Sequence, residues 1–191
     1  MDLAGPRPRT VLDPACGSGG HLIAALERRP GARVLGQDAD PVTARLTTVR
    51  LALRDGDADV RPGDSLRADA FTGELVDAVM TNPPFNDRSW GHEELVAHPR
   101  WEYGLPPRME SELAWAQHAL AHLGPDGVAV LLMPPAVAGR RSGRRIRAPL
   151  LRRGVLRAVI GLPVGGVPNV AVALTLWVLR RPSQGRGRAM P

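Results

Sequence analysis

Short apolar runs alternate along this chain with segments in which apolar residues recur at helical spacing. Such alternation is typical of a parallel sheet whose strands are joined by helices. The apolar runs predict seven strands, at residues 10–12, 33–37, near Val60, 75–81, 128–133, 155–162 and 170–179. We therefore expect one α/β domain over residues 1–181, a doubly wound and mostly parallel sheet, followed by a basic flexible tail over residues 182–191.

Three helical segments connect these strands. The first follows a glycine-rich stretch and ends at Pro30-Gly31, and the third covers about residues 111–123. The second is expected to begin at Pro41 with Asp40 as its N-cap, since Asp caps helix N-termini and Pro fits the first turn. Its apolar residues share one helical face, which we expect to be the buried one: Val42, Leu46, Val49 and Leu53.

All 25 basic residues of this 191-residue chain are arginines. The lack of lysine in the sequence excludes Schiff-base enzymes and Walker-type phosphate loops, because both need a lysine. The charges are also unevenly distributed, since residues 1–126 hold all 19 acids and residues 127–191 hold 12 arginines and no acid. This segregation indicates a polyanionic partner along one face.

Several features bear on the cellular compartment. No apolar run approaches the ~18 residues that a membrane-spanning helix needs, and the N-terminus lacks the apolar segment of a secretory signal. The single cysteine, Cys16, has no partner for an internal disulfide, which fits a reducing compartment. We therefore expect a cytoplasmic protein with no membrane partner.

The first predicted strand runs into a glycine-rich turn, residues 13–20, that opens a helix. This arrangement predicts a nucleotide-type site, because glycines let the backbone approach a ligand at the helix N-terminus. The spacing of Gly17 and Gly19 does not complete the dinucleotide fingerprint. Asp38 is placed to accept both hydroxyls of a ribose, and Asp64 to accept from an adenine amino group. These residues predict an adenosine site that needs no phosphate, with a structural glycine turn as the alternative.

The carboxyl end of the fourth predicted strand carries Asn82, Pro83, Pro84 and Phe85. Proline fixes φ and has no N–H, so the Pro83 carbonyl and the Asn82 side-chain oxygen form two acceptors on one rigid turn. Two such acceptors suit a planar exocyclic NH2 group and favour a free lone pair on its nitrogen, which methyl transfer needs. Phe85 is placed to stack on the ring that carries the amine. A turn without function is the alternative for this tetrapeptide alone.

Together, residues 13–20 (DPACGSGG) and 82–85 (NPPF) resemble the N6-adenine DNA methyltransferases, specifically the modification subunits of type I restriction systems. The resemblance covers about residues 10–181. It implies a Rossmann-like class I fold, S-adenosylmethionine as cofactor and no metal. The partners it implies are DNA, a separate specificity subunit that recognises the sequence, and further modification or nuclease subunits.

The resemblance also implies the cofactor contacts. Asp38 would hold the ribose of S-adenosylmethionine and Asp64 its adenine. The methionine end would be held by the carboxylate or backbone of the glycine-rich turn, at Asp13, Ala15, Cys16, Gly17 and Gly19.

For the target base, the resemblance implies that Asn82 and Pro83 accept from adenine N6, on the turn that Pro84 completes, while Phe85 stacks on the base. The base must then be flipped out of the duplex. The same tetrapeptide also resembles methyltransferases that act on guanine N2 of RNA or on protein glutamine, and these remain alternatives. Family members carry an N-terminal motif and a helical domain that this sequence lacks, so we expect an isolated catalytic core, with a non-catalytic remnant that only binds as a further alternative.

Eight arginines lie between residues 140 and 157. We expect a phosphate-contacting surface there, at Arg140, Arg141, Arg144 and Arg145. A solvated helix face is the alternative, since a GC-rich genome also enriches arginine. The segment 86–110 has no clear period. We expect it either to cover the sheet or to close over substrate with Trp90 and Trp101 stacking on nucleic acid.

Two further residue types are expected to be structural. His118 and His122 lie four residues apart on one predicted helix, a spacing found in zinc sites, but the sequence supplies no third ligand. We therefore expect no metal there. Cys16 lies where the glycine-rich turn needs a small side chain, so we expect it to pack rather than to act as a nucleophile.

Overall fold

A computed structural model describes residue 3, residues 8–165 and residues 172–181. The strands are β1 Thr10–Asp13, β2 Arg33–Asp38, β3 Asp57–Pro62, β4 Val76–Thr81, β5 Leu123–Met133, β6 Leu156–Gly161 and β7 Thr175–Arg180. The helices of the described ranges are α1 Gly20–Arg28, α2 Pro41–Ala52, α3 Ser111–Ala121, α4 Ala136–Gly139 and α5 Arg144–Arg152. None of these helices is both long and apolar enough to span a bilayer.

The seven strands form one sheet in the order β3-β2-β1-β4-β5-β7-β6. β7 lies between β5 and β6 and is antiparallel to both, whereas the strands from β3 to β5 pair in parallel. The predicted doubly wound, mostly parallel seven-stranded sheet is therefore confirmed. The predicted tail over residues 182–191 lies outside the described residues.

The strand order reverses between β1 and β4. These two strands pair through Val11 with Ala78 and Leu12 with Val79, so their carboxyl ends lie side by side. In doubly wound sheets ligands bind at such a reversal. The glycine-rich turn follows β1 and residues 82–85 follow β4, so the fold places both sequence motifs at this point.

Apolar side chains cover both faces of the sheet. On one face, α1 contributes Leu22, Ile23 and Leu26 and α2 contributes Leu51 to a cluster around Val34. On the other face lies a larger cluster formed by α3, by the segment 86–110 and by parts of β5 and β7. The central strands are thus buried between two layers, whereas the edge strands β3 and β6 are largely exposed. The carboxyl edge of the sheet is not covered by these layers.

α2 packs with the face opposite to the one we expected. Its buried residues are Ala44, Thr47 and Leu51, whereas the predicted stripe is exposed: Val42, Leu46, Val49 and Leu53. The prediction of the buried face is therefore wrong. The physical reason is a close approach, because a Cβ placed on Gly19 would lie 2.7 Å from Cγ2 of Thr47. Only small residues let this helix lie so near the glycine-rich turn.

The segment 86–110 covers the sheet. The side chain of Trp90 is 1% exposed and packs edge-to-face on Trp101 at 5.7 Å between ring centroids. The indole N–H of Trp90 donates to the carbonyl of Arg108 (3.0 Å), and that of Trp101 to the carbonyl of Leu95 (2.5 Å). The structure therefore contradicts stacking of Trp90 and Trp101 on nucleic acid, because both rings are buried and their N–H groups already have acceptors.

Several predicted boundaries also differ from the structure. β5 begins at Leu123 rather than at residue 128, because Leu123 already pairs with Val76 before an irregularity in the register. Correspondingly, α3 ends at Ala121. Of the predicted last strand, residues 170–171 lie outside the described residues, and β7 begins at Thr175 rather than within residues 172–174.

Candidate active site at the β1–β4 reversal

The glycine-rich turn leaves β1 and crosses the carboxyl end of β2. Gly17 and Gly19 have φ values of 51° and 81°, a left-handed conformation that glycine adopts without strain. The N–H of Cys16 donates to the carbonyl of Gln37 (2.9 Å), which ties the turn to β2. A Cβ on Gly17 would meet no atom within 4 Å. The outer side of the turn is therefore open to a ligand.

α2 supports this turn from behind. The hydroxyl of Thr47 donates to the carbonyl of Gly17 (2.6 Å), and the guanidinium of Arg50 donates to the carbonyl of Ser18. Both carbonyls are thus satisfied by protein groups, which leaves the opposite side of the turn for the ligand. Sequence reasoning missed Thr47 and Arg50. No local signal in the sequence singles out Thr47, because it lies opposite the apolar stripe of α2.

Asp13 braces the turn from inside. Its side chain is 1% exposed. One carboxylate oxygen accepts from the N–H of Ala15 (3.1 Å), and the other lies 2.8 Å from Nδ1 of His21. The hydrogen bond to Asp13 raises the pKa of His21, since a carboxylate partner favours the imidazolium. Asp13 therefore holds the shape of the turn, and His21 is a third residue that sequence reasoning missed.

Asp38 faces the open side of the turn. Its Oδ2 accepts from the N–H of Gly17 (2.8 Å) and its Oδ1 from the N–H of Asp40 (3.0 Å). A carboxylate offers about four lone-pair sites, so about two remain free for further donors. Two free acceptor sites beside an exposed glycine backbone fit the neighbouring hydroxyls of a ribose.

Asp64 has fewer free hydrogen-bond acceptor sites than Asp38. Its Oδ1 accepts from the N–H groups of Leu66 and Arg67 at 3.0 and 3.2 Å, and its Oδ2 accepts from the guanidinium of Arg67 at 3.0 Å. About one lone-pair site remains for an adenine amino group. The neighbouring Ser65 donates its hydroxyl to the carbonyl of Pro14 (2.6 Å). This bond fixes the loop of Asp64 against the glycine-rich turn.

Residues 82–85 form the second half of the site. Asn82 is exposed, Pro83 is buried and Phe85 is half-buried. An exposed amide beside a half-buried ring suits a planar group that carries an amine. The next residue, Asn86, has a φ of 56°, and its N–H donates to Oε1 of Glu112 (3.1 Å). The end of this segment is therefore anchored to the start of α3.

Cys16 belongs to the core. Its side chain is buried with Leu22 and Val34, and burial raises the pKa of its thiol to about 12. A thiol with that pKa stays protonated at neutral pH and is a poor nucleophile. The structure supports the prediction that Cys16 packs.

An open groove of about 550 Å³ runs along α5. It is lined by the exposed arginines of this region and two small residues: Arg141, Ser142, Arg144, Arg145, Ala148 and Arg152. Among the residues that the structure describes, no carboxylate lies within 4.0 Å of these four guanidinium groups. The groove therefore presents unneutralised positive charge.

Arg140 differs from the other predicted phosphate contacts. Its guanidinium pairs with the buried carboxylates of Glu110 and Glu112 at 3.5 and 3.3 Å and donates to Oδ1 of Asn86 at 2.7 Å. Arg140 therefore has fewer free donors than the arginines of the groove, and its contact with phosphate stays a prediction. Arg147, in the same sequence cluster, is also buried and donates to the carbonyl of Arg140.

A polar cluster lies under the segment 86–110. Asp69, His118 and His122 bring one ligand atom each within 4.8 Å of one another, so Asp69 is the third group that the sequence did not reveal. Nε2 of His122 is 3.0 Å from Asp69, and its Nδ1 is 3.0 Å from the carbonyl of Glu74. However, the guanidinium of Arg100 lies 2.9 Å from Nδ1 of His118. A neighbouring guanidinium repels a second cation, so these residues fit a metal ion poorly, and the lack of a metal stays a prediction.

The strand order, with β7 antiparallel between β5 and β6, is the fold of S-adenosylmethionine-dependent methyltransferases. A putative class I S-adenosylmethionine-dependent methyltransferase from Listeria monocytogenes superposes with a TM-score of 0.69 at 19% identity, over 89% of this chain and 52% of that chain. At this identity the similarity concerns the fold alone.

The family model for N-6 DNA Methylase matches residues 1–189. The chain belongs to this family, which confirms the resemblance found in its motifs. It is 30% identical over 205 residues to the HindI methylase subunit of a type I restriction enzyme from Haemophilus influenzae, and 31% identical over 207 residues to the MjaIX methylase subunit of a type I restriction enzyme from Methanocaldococcus jannaschii. Both matches cover 100% of this chain, but only 45% and 37% of those relatives. The chain thus spans less than half the length of either relative.

Proposed function

We propose that this chain is the catalytic core of an S-adenosylmethionine-dependent methylase that acts on N6 of adenine in DNA. The observation that carries the proposal is the placement of the glycine-rich turn and residues 82–85 at the paired ends of β1 and β4, in a chain of the N-6 DNA Methylase family. The two relatives named as methylase subunits of restriction enzymes support DNA as the substrate.

In this proposal the bound cofactor supplies an electrophilic methyl group. Asp38 accepts from the ribose hydroxyls, and the open backbone at Gly17 faces the methionine end. The Asn82 side-chain oxygen and the Pro83 carbonyl accept hydrogen bonds from the two N–H groups of adenine N6, which directs the nitrogen lone pair out of the ring plane. Phe85 packs on the base and holds it flat. Orientation of this kind is the main contribution that the protein makes to a direct methyl transfer.

The arginine groove supplies the proposed contact with DNA phosphates. Its four exposed arginines lie on and just before α5, and Arg140, the residue before Arg141, contacts Asn86 directly after residues 82–85. The groove therefore begins beside the proposed target-base site. Each phosphate contact releases counterions, so binding should weaken steeply with salt. We further propose a cytoplasmic location and a separate specificity subunit, the latter because the named relatives are subunits of larger restriction enzymes.

Calorimetric titration with S-adenosylmethionine tests the cofactor site. We expect micromolar affinity, about −8 kcal/mol, and a loss of at least about tenfold in Asp38→Ala, since ribose hydroxyls lose both acceptors. Asp57→Ala is the matched control, because Asp57 is an exposed carboxylate on the edge strand β3. A wild-type chain that does not bind, or an equal loss in the control, would contradict the proposed site.

Transfer of a labelled methyl group tests the substrate. We expect label on DNA, recovered as N6-methyladenine, and expect Asn82→Ala to abolish transfer while cofactor binding persists. Label on RNA guanine or on protein glutamine would favour those two alternatives. Cofactor binding without transfer to any of the three substrates would favour the non-catalytic remnant.

A further inference from the structure

Two glutamates next to the start of α3 lie buried beside the proposed target-base site. Glu110 and Glu112 are both 0% exposed, and the guanidinium of Arg140 lies within 3.5 Å of a carboxylate oxygen of each. Two buried carboxylates beside one guanidinium are costly unless other donors satisfy them. Other donors reach Glu112 and one oxygen of Glu110 from different parts of the chain, whereas Oε2 of Glu110 has only its ion pair with Arg140. These donors separate the roles of the two glutamates.

Glu112 holds the residue that follows Phe85. Its Oε1 accepts from the N–H of Asn86 (3.1 Å) while its Oε2 accepts from Arg140 (3.3 Å). Arg140 in turn donates to Oδ1 of Asn86 (2.7 Å). The backbone and the side chain of Asn86 are thus held at once, and this fixes the left-handed φ of 56° with which the chain leaves residues 82–85. Asn adopts this conformation more readily than other non-glycine residues, and the bonds to Glu112 and Arg140 hold Asn86 in it.

Glu110 faces the other way. Its Oε1 accepts from the hydroxyl of Ser142, and a Cβ on Gly143, just before α5, would lie 3.4 Å from its carboxyl carbon. Glu110 therefore anchors the start of α5 and has no contact with Asn86 among the hydrogen bonds of the described residues.

We infer that Glu112 is a positioning residue for methyl transfer, which acts through Asn86 to fix residues 82–85 against α3. The inference rests on the proposed function, because it assigns Glu112 to the reaction proposed above. Glu112 does not touch the base in this arrangement. Its effect arises because a displacement of about 1 Å in a reacting group can cost about 100-fold in rate.

Steady-state methylation of DNA by Glu112→Gln and Glu110→Gln tests the inference. The two variants are matched, since each neutralises one equally buried carboxylate that pairs with Arg140. We expect Glu112→Gln to lower kcat by about 100-fold, with the cofactor Kd and the KM for DNA within about threefold of wild type. Glu110→Gln should lose a similar amount of stability in urea but keep kcat within about threefold. Equal losses of kcat in the two variants, or an unchanged kcat in Glu112→Gln, would overturn the inference.

Amide hydrogen exchange provides a second measurement that needs no turnover. The N–H of Asn86 should exchange at least about tenfold faster in Glu112→Gln than in Glu110→Gln, because only the first variant weakens its acceptor. If the wild-type chain transfers no methyl group, the proposed function is rejected for this chain. If the N–H of Asn86 then also exchanges at the same rate in the two variants, the positioning role of Glu112 is rejected as well.

Discussion

Replacing Leu51 by alanine should destabilise the chain far more than replacing Leu46, although both leucines lie on α2. Leu51 is 0% exposed and packs in the cluster of α1, β1 and β2, whereas Leu46 is 51% exposed. The two substitutions remove the same atoms from the same helix. Their difference therefore measures which face of α2 is buried.

The expected magnitudes follow from burial. A fully buried Leu→Ala change costs about 2–5 kcal/mol, from lost transfer free energy and the cavity left behind. At Leu46 the loss should stay below about 1 kcal/mol, since half of the side chain already contacts water and alanine is the better helix former.

Urea denaturation monitored by circular dichroism measures the difference. With an m-value of about 2 kcal/mol per M, a loss of about 3 kcal/mol lowers the midpoint by about 1.5 M. The midpoint of Leu46→Ala should move by less than about 0.5 M. Equal shifts would contradict the burial of Leu51 and the exposure of Leu46. A larger shift for Leu46→Ala would mean that α2 buries the face that its apolar pattern favours.

Three further outcomes are expected. Gly19→Ala should lower the free energy of unfolding, measured in urea, by about 2 kcal/mol more than Gly31→Ala does. Both glycines have positive φ, but only a Cβ on Gly19 would clash, at 2.7 Å from Thr47. Equal losses in the two variants would contradict the clash. Burial, reinforced by the charges of His122 and Arg100, holds the pKa of His118 well below 6.5 in the folded chain. Below pH 6.5 the unfolded state therefore binds one more proton than the folded state, and the free energy of unfolding should fall. Between pH 7 and a pH below 6.5, the urea midpoint should fall less in His118→Gln than in the wild type. Burial raises the pKa of Cys16 from 9.0 to about 12, so native alkylation at pH 8 should be about 1,000-fold slower than in urea, and fast native labelling would contradict it.

The sheet and the two halves of the site could be predicted because their signals are local. Apolar runs mark the strands, and residues 13–20 and 82–85 carry their glycines and prolines in sequence. The rule that parallel strands meet at a common edge then brings the two motifs together. No long-range contact has to be known for these steps.

The face of α2 could not be predicted in the same way. The exposed face of α2 carries more large apolar residues than the buried face. The buried face is selected by Thr47, which lies against Gly19, a glycine 28 residues earlier in the chain. The contacts of Glu112 with Asn86 and Arg140 span 26 and 28 residues and leave no periodic signal. The indoles of Trp90 and Trp101 pose the same problem, because an aromatic residue in an irregular segment suits a core as well as a ligand surface.

The fold pairs only some of the arginines in the last third of the chain with carboxylates. The last third of the chain contains no acid, so its arginines can be neutralised only by residues from other elements. Glu110 and Glu112 do this for Arg140, and Glu102 does it for Arg153. Such neutralisation does not reach the arginines that line the groove on α5. Among the described residues, the four arginines of the groove thus keep their full positive charge, which is what the proposed binding of a polyanion requires.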